Sequence, residues 1–271
     1  MTQPHSVSDR DNNSVEDAAK LAPRLLYEVI RRDGEEELER TKRSLFWSGI
    51  AAGIMISLSV LGEAIFRTYL PDTGSRYLLE NLGYSLGFVV VIFGRMQLFT
   101  ENTITTVVPL IHKPSWSICF CVARLWSIVL FANVIGAFLI ALFYVYTPAL
   151  PDDLTPALTS LSEHATGFDP AVAFFRGIPA GILIAAIVWM MPQAAGATGL
   201  FLVVMFTWLI AAGDFTHIVA GSVEMAYLMV QGTLSISDAV TNFFLPVLAG
   251  NIIGGTVIFT LMAYGQVRDE V

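Results

Sequence analysis

Two short runs place hydrogen-bonding and ionisable side chains inside otherwise apolar stretches. The first is Gly94-Arg95-Met96-Gln97, continued by Leu98-Phe99-Thr100-Glu101-Asn102, and the second is Gly213-Asp214-Phe215-Thr216-His217. Thr100 offers both a donor and an acceptor without a charge, which suits orienting a small solute. His217 is the histidine deep within an apolar stretch; His5, His112 and His164 lie near the terminus or between stretches. An imidazole titrates near neutral pH and so suits proton exchange as well as hydrogen bonding. Ionisable groups at membrane depth cost ~2.5–3.5 kcal/mol each on insertion scales, so their presence calls for a function. Arg95 and Asp214 each follow a helix-breaking glycine directly, as a cation in one run and an anion in the other. We expect both to be neutralised inside the protein, by each other or by Glu101 or the carbonyls freed at the breaks, because a lone buried charge is costly.

The elements that must position these residues follow from composition. The chain has 271 residues, 55% hydrophobic and only 14% charged, with a mean hydropathy of +0.64. That is about half the charge of an ordinary soluble domain, where a quarter of residues are ionised. A net charge of -8 argues against a nucleic-acid partner, which calls for a basic patch. Cys119 and Cys121 are too few for a disulfide framework or a four-ligand metal site, and no cofactor is expected. No nucleophile motif surrounds Ser222 near His217, so an enzyme is not the expectation. The class that remains is an all-α polytopic membrane protein embedded in the lipid bilayer.

Apolar stretches at roughly 46–69, 78–112, 116–146, 170–191, 198–232 and 239–265 each exceed the ~20 residues that a crossing needs. Before them, residues 1–45 hold ten acidic side chains and eight of the fifteen basic ones. Within that segment Leu21, Leu25, Leu26, Val29 and Ile30 recur at helical spacing. This predicts an amphipathic helix over about 16–32, interrupted by Asp33-Gly34 ahead of a second charged stretch from Glu35 to Arg43. The basic residues put the N-terminus in the cytoplasm, and residues 147–169, without Lys or Arg, read as an outside loop. Six crossings return the tail at 266–271 to the cytoplasmic side of an inner (plasma) membrane.

The channel domain, 46–265, also compares well with itself. Ser48-Gly49-Ile50-Ala51-Ala52-Gly53 matches Arg176-Gly177-Ile178-Pro179-Ala180-Gly181, and Asn133-Val134-Ile135-Gly136 matches Asn251-Ile252-Ile253-Gly254. The second and fifth stretches are each about twice the length of one crossing and are each interrupted by glycine and polar residues. Residues 46–146 therefore repeat as 170–265, and since three crossings is an odd number, the second copy lies upside down. Inverted repeats with broken helices are the construction of many transport proteins, because a break frees backbone groups that an intact helix keeps to itself. Both breaks are pathway candidates, with Thr100 and His217 meeting at one narrow point from opposite repeats.

Gln97-Leu98-Phe99-Thr100-Glu101-Asn102, Asp214-Phe215-Thr216-His217 and Asn251-Ile252-Ile253-Gly254-Gly255 together resemble the formate/nitrite transporter family. Leu79-Glu80-Asn81-Leu82-Gly83-Tyr84, Gln97 to Thr103 and Gly221-Ser222-Val223-Glu224 are most similar to its YfdC-like branch. The resemblance implies an aquaporin-like six-helix protomer, a homopentamer with one pore per protomer, and small monovalent anions such as formate, nitrite or acetate as cargo. It also implies a polar centre at Thr100 and His217 and an apolar constriction to which Leu98 and Phe99 contribute, with Gln97 and Phe215 on the pathway. Asn102, Asn133 and Asn251 would support the breaks. Gln97 stands where the family often has an acidic residue, Gly221 and Gly181 where it often has asparagine, and 147–169 lacks a lysine that some members carry. The polar network about His217 is therefore expected to be thin.

Moving a bare anion through an apolar constriction is expensive, whereas protonating a carboxylate with a pKa near 4 at pH 7 costs only ~4 kcal/mol. Passage as the neutral acid, linked to a proton, is the expected route. His217 and bulk water are both possible sources of that proton. An aquaporin-like pore for a neutral solute, and a non-transporting sensor or scaffold, are the alternatives.

Overall fold

The computed structural model describes residues 21–194 and 196–271. Its elements are helices throughout. Helix α1 (Pro23–Glu39) lies ahead of α2 (Lys42–Tyr69), α3 (Arg76–Phe93) and the short α4 (Phe99–Thr105, continued by Val107–His112). The chain goes on through α5 (Trp116–Tyr146), α6 (Thr155–Thr166), α7 (Pro170–Met190), α8 (Ala197–Ala212), α9 (Ile218–Gln231) and α10 (Ile236–Val267). Among the described residues, α2, α3, α5, α7 (with its Met191–Gln193 extension) and α10 are long and apolar enough to cross a membrane. The stretches at 78–112 and 198–232 are each divided in two, α3/α4 at 94–98 and α8/α9 at 213–217, the positions of the two expected breaks. Large apolar side chains such as Trp116, Phe131, Phe175, Phe201 and Met262 point outward, as they do in a polytopic helical membrane protein.

Local chemistry sets the boundaries. The Thr41 hydroxyl accepts from the Ser44 N–H at 3.2 Å to start α2, and Ser115 does the same for Ile118 at the head of α5. Close approach of helices then rests on small residues, the means available where lipid tails are as apolar as the side chains. A Cβ at Gly53 would sit 2.1 Å from the Asn133 carbonyl oxygen, and one at Gly181 would sit 2.3 Å from that of Asn251. So α2 packs on α5 as α7 packs on α10, with backbone against backbone. α10 departs from its counterpart, since π-helical turns at Ala239–Phe244 and Ile253–Thr260 widen it. The first of these turns brings the buried Phe243 ring against Gly221.

Helix α1 corrects one expectation. It runs unbroken through Asp33-Gly34; the predicted segment's first residues, 16–20, lie outside the described ones. Gly34 is there for contact, since its Cα side faces the Thr105 carbonyl so closely that a Cβ would be 2.0 Å from that oxygen. Leu26, Tyr27 and Ile30 bury the apolar stripe of α1 on the protein, where Tyr27 and Ile30 meet Ile104, Val108 and Val267. The segment 147–169 also differs from a simple loop. It folds α6, whose Leu158 and Leu161 are buried in the core shared with α2 and α9.

Candidate functional site

Both breaks are built to one plan. The Arg95 N–H bonds to the Ile92 carbonyl and the Met96 N–H to that of Val91; at the second break Asp214 bonds to Ala211 and Phe215 to Ile210. This is the paired closure that ends a helix on a left-handed residue. That residue is Arg95 (φ 49°) in one case and Asp214 (φ 58°) in the other. The unwound backbone that follows is held by one buried asparagine. Asn133 donates from Nδ2 to the Gly49 and Gln97 carbonyls, both at 2.8 Å, and its Oδ1 accepts from the Phe99 N–H at 3.0 Å. Asn251 donates to the Gly177 and Thr216 carbonyls, both at 2.9 Å, and accepts from the Ile218 N–H at 2.8 Å. Each asparagine thus satisfies backbone groups that the break leaves without a ladder, which buried N–H and C=O groups require.

Between the clamps, the Thr100 Oγ1 and His217 Nε2 atoms lie 2.8 Å apart. They are 0% and 2% exposed. His217 is also the N-cap of α9, where its Nδ1 accepts from the Ala220 N–H at 3.2 Å. A ring nitrogen that accepts from a backbone amide carries no proton, so in the neutral ring the hydrogen is on Nε2 and is donated to Thr100. The threonine hydroxyl keeps its own hydrogen for another acceptor. Phe88, fully buried, packs edge-on against the imidazole with centroids 5.1 Å apart.

Two cavities flank this pair. One, of about 210 Å³, is lined by His217, Phe215, Thr216 and Asp214 and reaches past Glu224, Glu63 and Arg67 to His164 on α6. The other, of about 790 Å³, lies under α1 and is lined by Gln97, Glu101, Arg95, Asp33 and Glu37. They open toward opposite ends of α2, the first beside Glu63 and Arg67 near its C-terminal end, the second beside α1, which leads into its start.

The expected residues divide as follows. Gln97 ties α1 to the first break, donating to Glu37 Oε2 at 2.7 Å and accepting from Asn102 Nδ2 at 3.1 Å. Asn102 also donates to the Leu98 carbonyl at 3.2 Å, inside the same turn. Leu98 and Phe99 are buried and line neither cavity; the Phe99 ring meets Trp126 edge-on at 5.6 Å. Glu101 faces the α1-side cavity with its Oε1 atom buried and unpartnered among the described residues. Arg95 and Asp214 were both expected to be neutralised, by each other or by nearer groups; they do not pair, because they face different cavities, and of the two only Asp214 finds ionic partners among the described residues. Asp214 is neutralised by Arg176 at 2.6 Å and His164 at 2.7 Å, neither of which the sequence singled out. Arg95 makes no ion pair or hydrogen bond among the described residues and needs none, since its exposed guanidinium keeps its water. Across the cavity, burial raises the Asp33 carboxyl above the usual range while the Arg95 charge partly offsets this. Phe88, Glu63, Glu224, Arg176 and Glu37 were missed. Only Glu63 and Glu224 carry a sequence signal, as carboxylates within apolar helices.

Gly221, where the family often has asparagine, has no room for one: a Cβ there would lie 2.3 Å from the Phe243 ring. The π-helical turn of α10 has filled that space with an aromatic ring.

A family model described as formate/nitrite transporter matches residues 24–265. The chain is 46% identical over 245 residues to the inner membrane protein YfdC of Escherichia coli K12, covering 90% of this chain and 79% of that one. It is 25% identical over 237 residues to the formate channel FocA of Haemophilus influenzae, covering 78% and 82%. A solved pentameric formate channel with formate bound superposes with a TM-score of 0.73 at 24% identity, covering 84% of this chain and 98% of that one, which shows the fold. With its matched breaks, its paired asparagine clamps and a family match over nearly its whole described length, the chain belongs to the formate/nitrite transporter family.

Proposed function

We propose that this chain is a channel for small monovalent weak-acid anions of the formate, nitrite or acetate type, passed with a proton as the neutral acid. The observation that carries this reading is the buried Thr100–His217 hydrogen bond, which joins the two breaks at 2.8 Å while the ring reaches the 210 Å³ cavity. The pair presents hydrogen-bond donors without a fixed charge. The imidazole Nε2–H and the threonine O–H can hold an anionic or acidic oxygen in turn, yet no cation at this depth would trap it. Ring protonation is not free: a proton on Nδ1 would break the cap on α9, so His217 acts as a donor rather than as the resident acid. Toward the α1 side the next layer is apolar. Leu98 is the N-cap residue after the first break as His217 is after the second, and its burial between the two cavities' linings suits it to be the apolar closure of the path. An anion stripped of water at Leu98 bears a desolvation cost that the ~4 kcal/mol needed to neutralise a carboxylate undercuts.

Around this pore we infer six crossings as an inverted 3+3 repeat, with α3/α4 and α8/α9 as the broken pair. The identical closures and clamps of the two breaks support it, as does their opening to opposite ends of α2. Eight of fifteen basic residues within 1–45, and none in 147–169, favour an inner-membrane orientation with both termini cytoplasmic. α1 then caps the cytoplasmic cavity and α6 borders the periplasmic one. The outward apolar belt suits a homopentamer like that of the solved formate channel.

The test is flux into sealed proteoliposomes that enclose a pH dye. An inward formate gradient should acidify the lumen, and Thr100→Val, which leaves the Nε2–H without its partner, should slow this several-fold. Entry of formate without acidification would refute the proton linkage. Passage of glycerol but not formate would favour a neutral-solute pore.

A further inference from the structure

The periplasmic cavity holds two carboxyl groups that the pore reading does not use. Glu63, on α2, is 5% exposed and Glu224, on α9, is 7% exposed; both line the cavity, and neither has a hydrogen-bond or ion-pair partner among the described residues. The cations around them are committed elsewhere. Arg67 binds Glu80 at 2.6 Å, Arg76 lies 3.6 Å from the same carboxylate, and Arg176 and His164 hold Asp214. From α3 the cavity receives only the hydroxyls of Tyr77 and Tyr84 and the amide of Asn81, and from the second break Asp214, Thr216 and His217. Two buried carboxyls whose neighbouring cation, Arg67, is already paired with Glu80 cannot both be ionised at small cost. Glu224 stands seven residues after His217 on one face of α9, about 10 Å along the axis. An anion drawn in past Arg67 therefore passes Glu63 and Glu224 before it meets the imidazole.

We propose that Glu63 and Glu224 are the proton-donating site of this pore, loading the incoming weak-acid anion in the periplasmic cavity before it reaches Thr100 and His217. This rests on the transport reading above. In the step, the O–H bond of one glutamic acid breaks, its proton moves to a carboxylate oxygen of the anion, and the neutral acid moves on. The glutamate left behind is neutralised by a proton from water on the same side, so one proton travels with each anion. The imidazole, locked by its cap, is spared this role.

The test uses the full-length assembled protein with Glu63→Gln and Glu224→Gln, singly and together, since glutamine keeps the size and polarity but has no proton to give. Infrared spectra of the purified protein at neutral pH should show a protonated-carboxyl band, sensitive to deuterium exchange, that the double variant loses. Formate-driven acidification from the periplasmic side should fall ~10²-fold at neutral pH in the double variant, the low end of what a positioned proton donor contributes. The deficit should shrink as the outside is acidified, because bulk formic acid then replaces the missing donor; a merely structural defect would not recover. Glu224→Asp, with a proton on a shorter arm, should retain most of the flux. No band lost in the double variant, or an unchanged pH profile, overturns the proposal. Should the double variant fail to assemble, Glu224→Gln alone decides by the same two readouts. A wild-type protein that passes no formate refutes the transport reading instead, while the infrared arm still shows whether the pair holds a proton.

Discussion

Replacing Asn251 by leucine keeps the γ-branched shape at the second break but removes three hydrogen bonds at once. The Gly177 carbonyl lies within α7 and keeps its ladder partner there, so its loss is small, about 1 kcal/mol. The Thr216 carbonyl and the Ile218 N–H lie in the unwound stretch and have no other partner among the described residues. Each would be left buried and unpaired at about 2 kcal/mol. The expected total is about 5 kcal/mol, against roughly 2 kcal/mol if the three were ordinary interhelical bonds of ~0.6 kcal/mol each. Asn133→Leu breaks the matching set to Gly49, Gln97 and Phe99, so its cost should agree with that of Asn251→Leu to within about 1 kcal/mol. Asn251→Asp, which can still accept from Ile218, should fall between wild type and leucine. The measurement is unfolding by titrated anionic detergent in mixed micelles, followed by tryptophan fluorescence. A leucine variant within about 2 kcal/mol of wild type would refute the view that each break hangs on its asparagine.

Two further outcomes concern α1. Gly34→Ala forces a methyl group onto the Thr105 carbonyl, so α1 should loosen by ~1–3 kcal/mol and become cleavable by trypsin while the membrane core stays resistant. The Arg31 and Arg32 guanidiniums hold the Glu28 carboxyl down to about 2, so this support is complete above the ordinary glutamate range and is lost as pH falls toward that value; trypsin-independent proteolysis of α1 should rise between pH 4 and pH 2, and Glu28→Gln should flatten that profile.

Much of the scaffold was legible because its signals are local. Glycine followed by polar residues inside an apolar stretch marks a break wherever it occurs, and Asn133 and Asn251 sit in matching four-residue strings. The meeting of Thr100 and His217 followed from placing both just past a break. What escaped were contacts across the bundle that no break or repeat marks. Arg95 and Asp214 look complementary on paper, yet they face different cavities and do not pair. Gly34 has the composition of a helix break, but a neighbouring carbonyl, not the chain's own preference, explains its lack of a side chain. Arg176 and His164 reach Asp214 from 38 and 50 residues away, a separation no local pattern reveals. Gly221 reads as a missing polar group until the widened turn of α10 brings Phe243 into its place.

The asparagine clamps speak only to main-chain atoms, and main-chain atoms are the same whatever residue carries them. Leu98, Phe99, Phe215 and Gly221 can therefore be exchanged without any clamp losing a partner, so long as the replacement fits its space. On the pore reading proposed above, these four positions are separable from the clamps, which opens a practical route to new selectivity. Libraries confined to those four positions and to Phe243, screened for altered solute preference, should yield assembled proteins far more often than libraries of equal size that touch Gly53, Asn133, Gly181 or Asn251.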